Sequence, residues 1–133
     1  MKVSIDKEKY SESSKRSIGH EFLGEYYKDI KYICFKCSQK AIYKALEQKE
    51  AIEVRKEYMW RQRVLCNVCW KEMRDIKKDL AEMESQYSNN KQASLNDTDF
   101  LNKWLELLKQ YLLYSKKGNT SRIVFIERHL KNA

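Results

Sequence analysis

The sequence predicts an α+β fold that is mostly helical, a small metal module with a short β-hairpin followed by C-terminal helices. Three observations carry this expectation. All four cysteines fall in two pairs, Cys34-Phe-Lys-Cys37 and Cys66-Asn-Val-Cys69, with 28 residues between them. The chain has no proline and only three glycines, which favours helices joined by few tight turns. Apolar residues also recur at helical spacing over residues 73–87 and 100–112.

At 133 residues the chain is long enough for one domain, or for a small metal module with helical additions. The organisation expected is a polar N-terminal arm (1–24), a four-cysteine module with a long helix (25–88), and a C-terminal helical pair (97–131) packed on it. No secretory signal or membrane span is evident, so a cytoplasmic setting without membrane association is expected. Thiols stay reduced there, and four cysteines then read as metal ligands rather than as two disulfides. The net charge of +8 is unevenly spread: residues 1–30 are neutral, while 31–88 and 89–133 each carry +4. Four thiolates around a divalent ion would lower the total to about +6. Such a surface is compatible with nucleic acid without requiring it.

Taken in order, residues 1–20 are charge-balanced and rich in serine and lysine, and read as a mobile arm or loosely packed lead-in. Residues 21 to 27 then suggest a helical turn with Phe22, Leu23, Tyr26 and Tyr27 inward. Residues 29–33 alternate polar and apolar as a short strand, and 38–43 form its return, so that Cys34 and Cys37 sit at a hairpin tip. Residues 44–58 are strong helix formers with a thin apolar face of Ala45, Leu46 and Ile52. Residues 59–65 look extended.

A helix then opens at Cys66 and runs to about residue 87. Met73, Ile76, Leu80, Met83 and Tyr87 share the side to be buried, and Lys71, Arg74 and Lys78 the opposite one. A helix start suits thiolates, because unpaired N–H groups and the positive dipole end face them. Knuckle, hairpin and ligand-bearing helix in that order suggest a treble-clef arrangement. Residues 88–96 read as a linker, and Asp97 as the N-cap of a helix over 98–115 with the strongest amphipathic pattern in the chain. Lys116, Lys117 and Gly118 form a stop signal. Thr120 or Ser121 would cap a last helix over 122–131, although Ile123-Val-Phe-Ile126 could equally be a strand.

Two CxxC pairs at this separation point to one ion held by Cys34, Cys37, Cys66 and Cys69. Zinc suits four sulfurs because it is borderline-soft and has no redox chemistry. Rubredoxin-type iron takes the same ligands and stays open. A redox CxxC calls for a βαβ context that this chain lacks. Four thiolates close the coordination sphere, which argues for a structural ion.

The segment Tyr27-Lys-Asp-Ile-Lys-Tyr-Ile-Cys34-Phe-Lys-Cys37, with Ala45-Leu-Glu-Gln48 and Val64-Leu-Cys66-Asn-Val-Cys69, resembles the bacterial "probable zinc-ribbon" modules, which are treble-clef-like. The similarity covers about residues 28–72 and rests mainly on the paired cysteines. It implies the same four ligands and a bacterial or phage source, and little about activity. Two positions differ from such modules: Ser38 stands where glycine is common after the second cysteine, and Trp70 where a small or basic residue is expected. A serine adopts the implied left-handed turn at some cost.

Lys40, Arg61, Arg63, Lys71, Arg74 and Lys78 are candidate nucleic-acid contacts, with Tyr32, Phe35, Trp60 and Trp70 interleaved for stacking. The competing reading is an ordinary solvated face, since Lys71 with Asp75 and Lys78 with Glu82 are i,i+4 pairs. The stripe containing Phe100, Trp104, Leu108 and Tyr111 is expected to pack on residues 73–87 and the last helix. Its alternative is a homodimer or partner-binding surface. His20 and His129 lie far apart and read as surface or capping residues. No Ser/His/Asp pattern, Gly-rich phosphate loop or distinctive carboxylate pair is present, so neither an enzyme nor a small-molecule substrate is expected. The expectation is a non-enzymatic zinc protein that binds DNA or RNA or acts as a regulatory adaptor. The alternative is a protein-interaction module, inhibitor-like or dimeric, using the C-terminal helix.

Overall fold

A computed structural model describes residues 2–132. The chain divides into two units, one of residues up to 34 together with 38–66, the other of residues 35–37 together with those from 67 onward. The fold is α+β and mostly helical, with two small antiparallel sheets.

In the first unit Val3–Ser4 (β1) pairs with Tyr26–Tyr27 (β2), Val3 opposite Tyr27. Glu12–Lys15 (α1) lies between them, capped by Ser11, whose side chain accepts the Ser14 N–H. The stretch expected to be a loose arm is therefore tied down. Val3 and Tyr10 are buried with Tyr27 and Ile52, and fully buried Ser14 accepts the Met59 N–H on its Oγ at 2.9 Å. Residues 26 and 27 are in a strand rather than a helical turn, so their side chains point to opposite faces. Tyr27 goes in; Tyr26, like Phe22, is exposed.

Ile30–Ile33 (β3) and Lys40–Tyr43 (β4) form the expected hairpin, Ile30 opposite Tyr43 and Ile33 opposite Lys40. Asp29 accepts the Ala45 N–H at 2.8 Å and caps Ala45–Lys49 (α2), which continues as a π-helical turn over Glu50–Val54. The run stops before residue 58 because Lys56 turns left-handed, at φ 58°. Of the thin apolar face expected, Ile52 is buried and Ala45 packs against the same cluster, but Leu46 is exposed and Gln48, Ala51 and Glu53 are inside. Two polar side chains can be buried there because each is satisfied. Gln48 Nε2 donates to the carbonyls of Lys28 and Tyr43, and Glu53 accepts from Tyr27, Lys49 and the Asp6 N–H.

The second unit holds Asn67–Asn89 (α3), Lys91–Asn96 (α4), Thr98–Tyr111 (α5) and Thr120–Lys131 (α6). The expected linker over 88–96 is helical instead. The first long helix runs through its start, and Asn90 begins the next by accepting the Ala93 N–H. Asp97 caps α5 as expected, accepting the Phe100 N–H at 3.1 Å. Residues 122–131 are helix, capped by Asn119 rather than by Thr120 or Ser121. Met83, Leu101, Trp104, Leu108, Ile123 and Ile126 make one buried cluster. Gly118 lies against the Leu112 side chain, whose Cδ2 a Cβ at that position would overlap. Among the described residues no helix is long and apolar enough to cross a membrane.

Candidate metal centre

The centre is built from two local devices. The first is the hairpin tip. After β3, the Cys34 N–H donates to the Gln39 carbonyl and the Ser38 N–H donates to the Cys34 carbonyl, both at 2.9 Å. These bonds curl the backbone so that Cys34 and Cys37 turn toward one point. Ser38 closes the curl with a left-handed φ of 63°. The turn that glycine would supply is thus made by serine.

The second device is a helix start. Cys66 immediately precedes α3 and Cys69 falls in its first turn. The N–H groups of that turn have no intrahelical partner, and the dipole's positive end lies there, so both favour thiolate.

The sulfurs of Cys34, Cys37, Cys66 and Cys69 all lie within 4.8 Å of one another. A tetrahedral ion with Zn–S near 2.3 Å would space its ligands by roughly 3.8 Å, so the cluster accommodates one such ion. Cys34 and Cys69 are buried, and the other two are more open. Thiolates in this number and spacing match a soft or borderline divalent ion.

Cations sit over aromatic rings near these elements. The Lys36 ammonium lies 5.3 Å from the Tyr114 ring and that of Lys116 5.8 Å from Phe35. Tyr114 donates to Glu72 at 2.7 Å, and this bond to a carboxylate, with burial, pushes the phenol up to about 12.

The expected nucleic-acid contacts do not form one set. Lys71, Arg74 and Lys78 are exposed on α3, and Arg74 stacks over Trp70 at 4.8 Å. Neither Lys71–Asp75 nor Lys78–Glu82 closes as an ion pair among the described residues. Lys40 is exposed on the hairpin face it shares with Ile33. Arg61 and Arg63 do meet: both line a groove of about 620 Å³ in the first unit, together with Lys28 and Lys31, which are not among the expected contacts. A local scan around the cysteines misses those two lysines, because the groove pairs residues 26–32 with residues 59–63 across the hairpin.

The partner-binding stripe is largely spent on the core. Trp104 is 1% exposed and Leu108 5%, and Phe100 packs against the same cluster. The histidines bind backbone: His20 Nε2 lies 3.1 Å from the Lys7 carbonyl and His129 Nε2 3.0 Å from that of Leu95. No protein-family model, curated protein or solved structure matches the chain.

Proposed function

We propose that this chain is a non-enzymatic zinc protein of treble-clef type, related to the probable zinc-ribbon modules, whose metal is structural and whose basic surface binds nucleic acid. The observation that carries the metal reading is the convergence of four cysteine sulfurs within 4.8 Å. Four thiolates leave a zinc ion no open position, so its work is to fold the module rather than to activate water. Elemental analysis should find one zinc per chain. A strong chelator should lower the melting temperature and reduce helicity, because metal binding and folding are coupled. Iron as the bound metal, or a chelator-insensitive melt, would overturn this reading.

Nucleic acid is favoured over a protein partner by two observations. Lys71 and Lys78 close no ion pair with Asp75 or Glu82, and of Phe100, Trp104, Leu108 and Tyr111, on which the protein-interaction reading relied, Trp104 and Leu108 are buried. Binding to DNA and RNA over a salt series is the direct test. Affinity should fall linearly in log salt, and neutralising Arg61, Arg63, Lys71 and Arg74 should flatten the slope. Absence of binding at low salt would contradict the proposal.

A further inference from the structure

We propose that the groove of the first unit is a binding site for an unpaired nucleic-acid strand, with Trp60 as its stacking platform and Lys28, Lys31, Arg61 and Arg63 as its phosphate contacts. This rests on the nucleic-acid reading above and assigns it a place and a strand type.

Four features of the groove carry the inference. Its volume of about 620 Å³ falls within the roughly 300–1,000 Å³ of sites that bury a small ligand. Its lining includes two lysines and two arginines but no aspartate or glutamate. In a chain with 19 acidic residues that separation of charge selects an anionic occupant. Among the described residues only Arg61 of the four cations has a carboxylate partner, Glu57 at 3.5 Å, a pair in which the arginine is exposed and the glutamate half-buried.

The third feature is an aromatic wall. Trp60 is 52% exposed, yet its ring is fixed in place. Its Nε1–H donates to the Ile18 carbonyl at 3.1 Å. The same edge of the ring lies so close to Gly19 that a Cβ there would sit 2.8 Å from Trp60 Cζ2. Gly19 has φ 98°, a conformation that side chains disfavour, so glycine both makes the turn and admits the ring. An indole anchored along one edge and half open to solvent is a pre-ordered stacking surface. Tyr26, 44% exposed, lines the same groove.

The fourth feature is how one cation is held. The Arg63 guanidinium lies 4.4 Å from the Tyr43 ring centroid, which orients it without neutralising it.

An unpaired strand is the occupant this chemistry fits. It offers both a free base face and a phosphate at each step, whereas the bases of a duplex are already stacked on one another. An apolar peptide would leave four cations without a use. An acidic peptide would use the cations but not the exposed indole.

The test is fluorescence anisotropy on the full chain loaded with zinc, using labelled oligothymidine and oligouridine 12-mers and a 12-base-pair duplex. The single strands should bind at least tenfold more tightly than the duplex. Trp60→Ala should weaken single-strand binding roughly 5- to 150-fold, the range for losing one base–aromatic stack, and Trp60→Phe should restore most of it. Lys28→Gln/Lys31→Gln changes two exposed residues and so leaves the fold undisturbed. It should lower the slope of log affinity on log salt by about 1.4 for two phosphate contacts. Single-strand binding that survives Trp60→Ala and Lys28→Gln/Lys31→Gln but is lost on neutralising Lys71, Arg74 and Lys78 would overturn the groove and keep the nucleic-acid reading. A duplex preference would do the same. No binding of any probe at low salt, or competition only by an acidic peptide, would overturn both.

Discussion

Tyr27 donates its hydroxyl to Glu53 Oε2 at 2.7 Å, joining the second strand of the chain to a carboxylate that is almost wholly inside. Tyr10 completes the chain of bonds, its hydroxyl 2.9 Å from that of Tyr27. Lys49 reaches the other Glu53 oxygen at 3.0 Å and also donates to the Ser4 carbonyl. Burial alone would raise the Glu53 carboxyl. The bonds from Tyr27, Lys49 and the Asp6 N–H, with the charge of Lys49, outweigh it and hold the group below its ordinary 4.5. The network links β1, β2 and the π-helical turn, and so holds together the first unit's small apolar cluster.

A depressed carboxylate stabilises the fold above its unfolded value, and that contribution is lost as pH falls through the lower folded value. Glu53→Gln should therefore cost roughly 1.5–3 kcal/mol at neutral pH, a range for charged hydrogen bonds kept low because Lys49 is partly exposed. The difference from the parent chain should stay constant down to about pH 5 and shrink below the ordinary carboxylate value. Tyr27→Phe removes one donor and brings the folded value nearer the unfolded one, so the acid-dependent loss should be smaller and should end at a higher pH. Urea unfolding of the three proteins from pH 3 to 8 measures this; a difference that grows with acidification would contradict it.

Ser38 closes the knuckle in a left-handed conformation that costs a non-glycine residue about 1–2 kcal/mol. Ser38→Gly should remove most of this strain, offset in part by glycine's greater freedom when unfolded, for a net gain near 0.5–1 kcal/mol. Ser38→Val should be destabilising. Denaturant midpoints of the metal-loaded proteins would reveal the order Gly above Ser above Val.

Trp104, 1% exposed, is packed among Tyr87 and Phe100 with ring centroids at 5.4 and 5.5 Å. The Arg122 guanidinium lies 5.2 Å from its ring and pairs with Glu84. Trp104→Ala should cost about 3–5 kcal/mol, as for a large aromatic removed from a core. Sedimentation of the parent and variant should show no change in oligomeric state. A variant of unaltered stability that changed association would restore the partner-surface reading.

What could be read from sequence was what is local. The two CxxC pairs, the hairpin between residues 30 and 43 and the Asp97 cap depend on neighbours a few residues away, and each was legible. The lead-in was not, because the partners that order Tyr10 and Ser14 lie far along the chain, at Tyr27 and Met59. Residues 44–54 were misjudged for a related reason. Counting apolar side chains found a thin face, whereas the helix buries Gln48 and Glu53 against distant donors and acceptors. Residues 88–96 look like a linker by composition, yet Asn90 caps a helix there. The groove was half visible: Arg61, Arg63 and Trp60 were singled out, but Lys28, Lys31 and Tyr26 join them only once the hairpin is folded.

On the proposed reading Cys34, Cys37, Cys66 and Cys69 hold one zinc ion. X-ray absorption at the zinc edge of the purified chain tests it most directly. A single shell of four sulfurs at about 2.3 Å is expected, lost in Cys69→Ser with retention of a weaker three-sulfur site or none. An iron edge in place of zinc, a shell containing nitrogen or oxygen in the parent protein, or a metal-free chain with its cysteines joined in disulfides would contradict it.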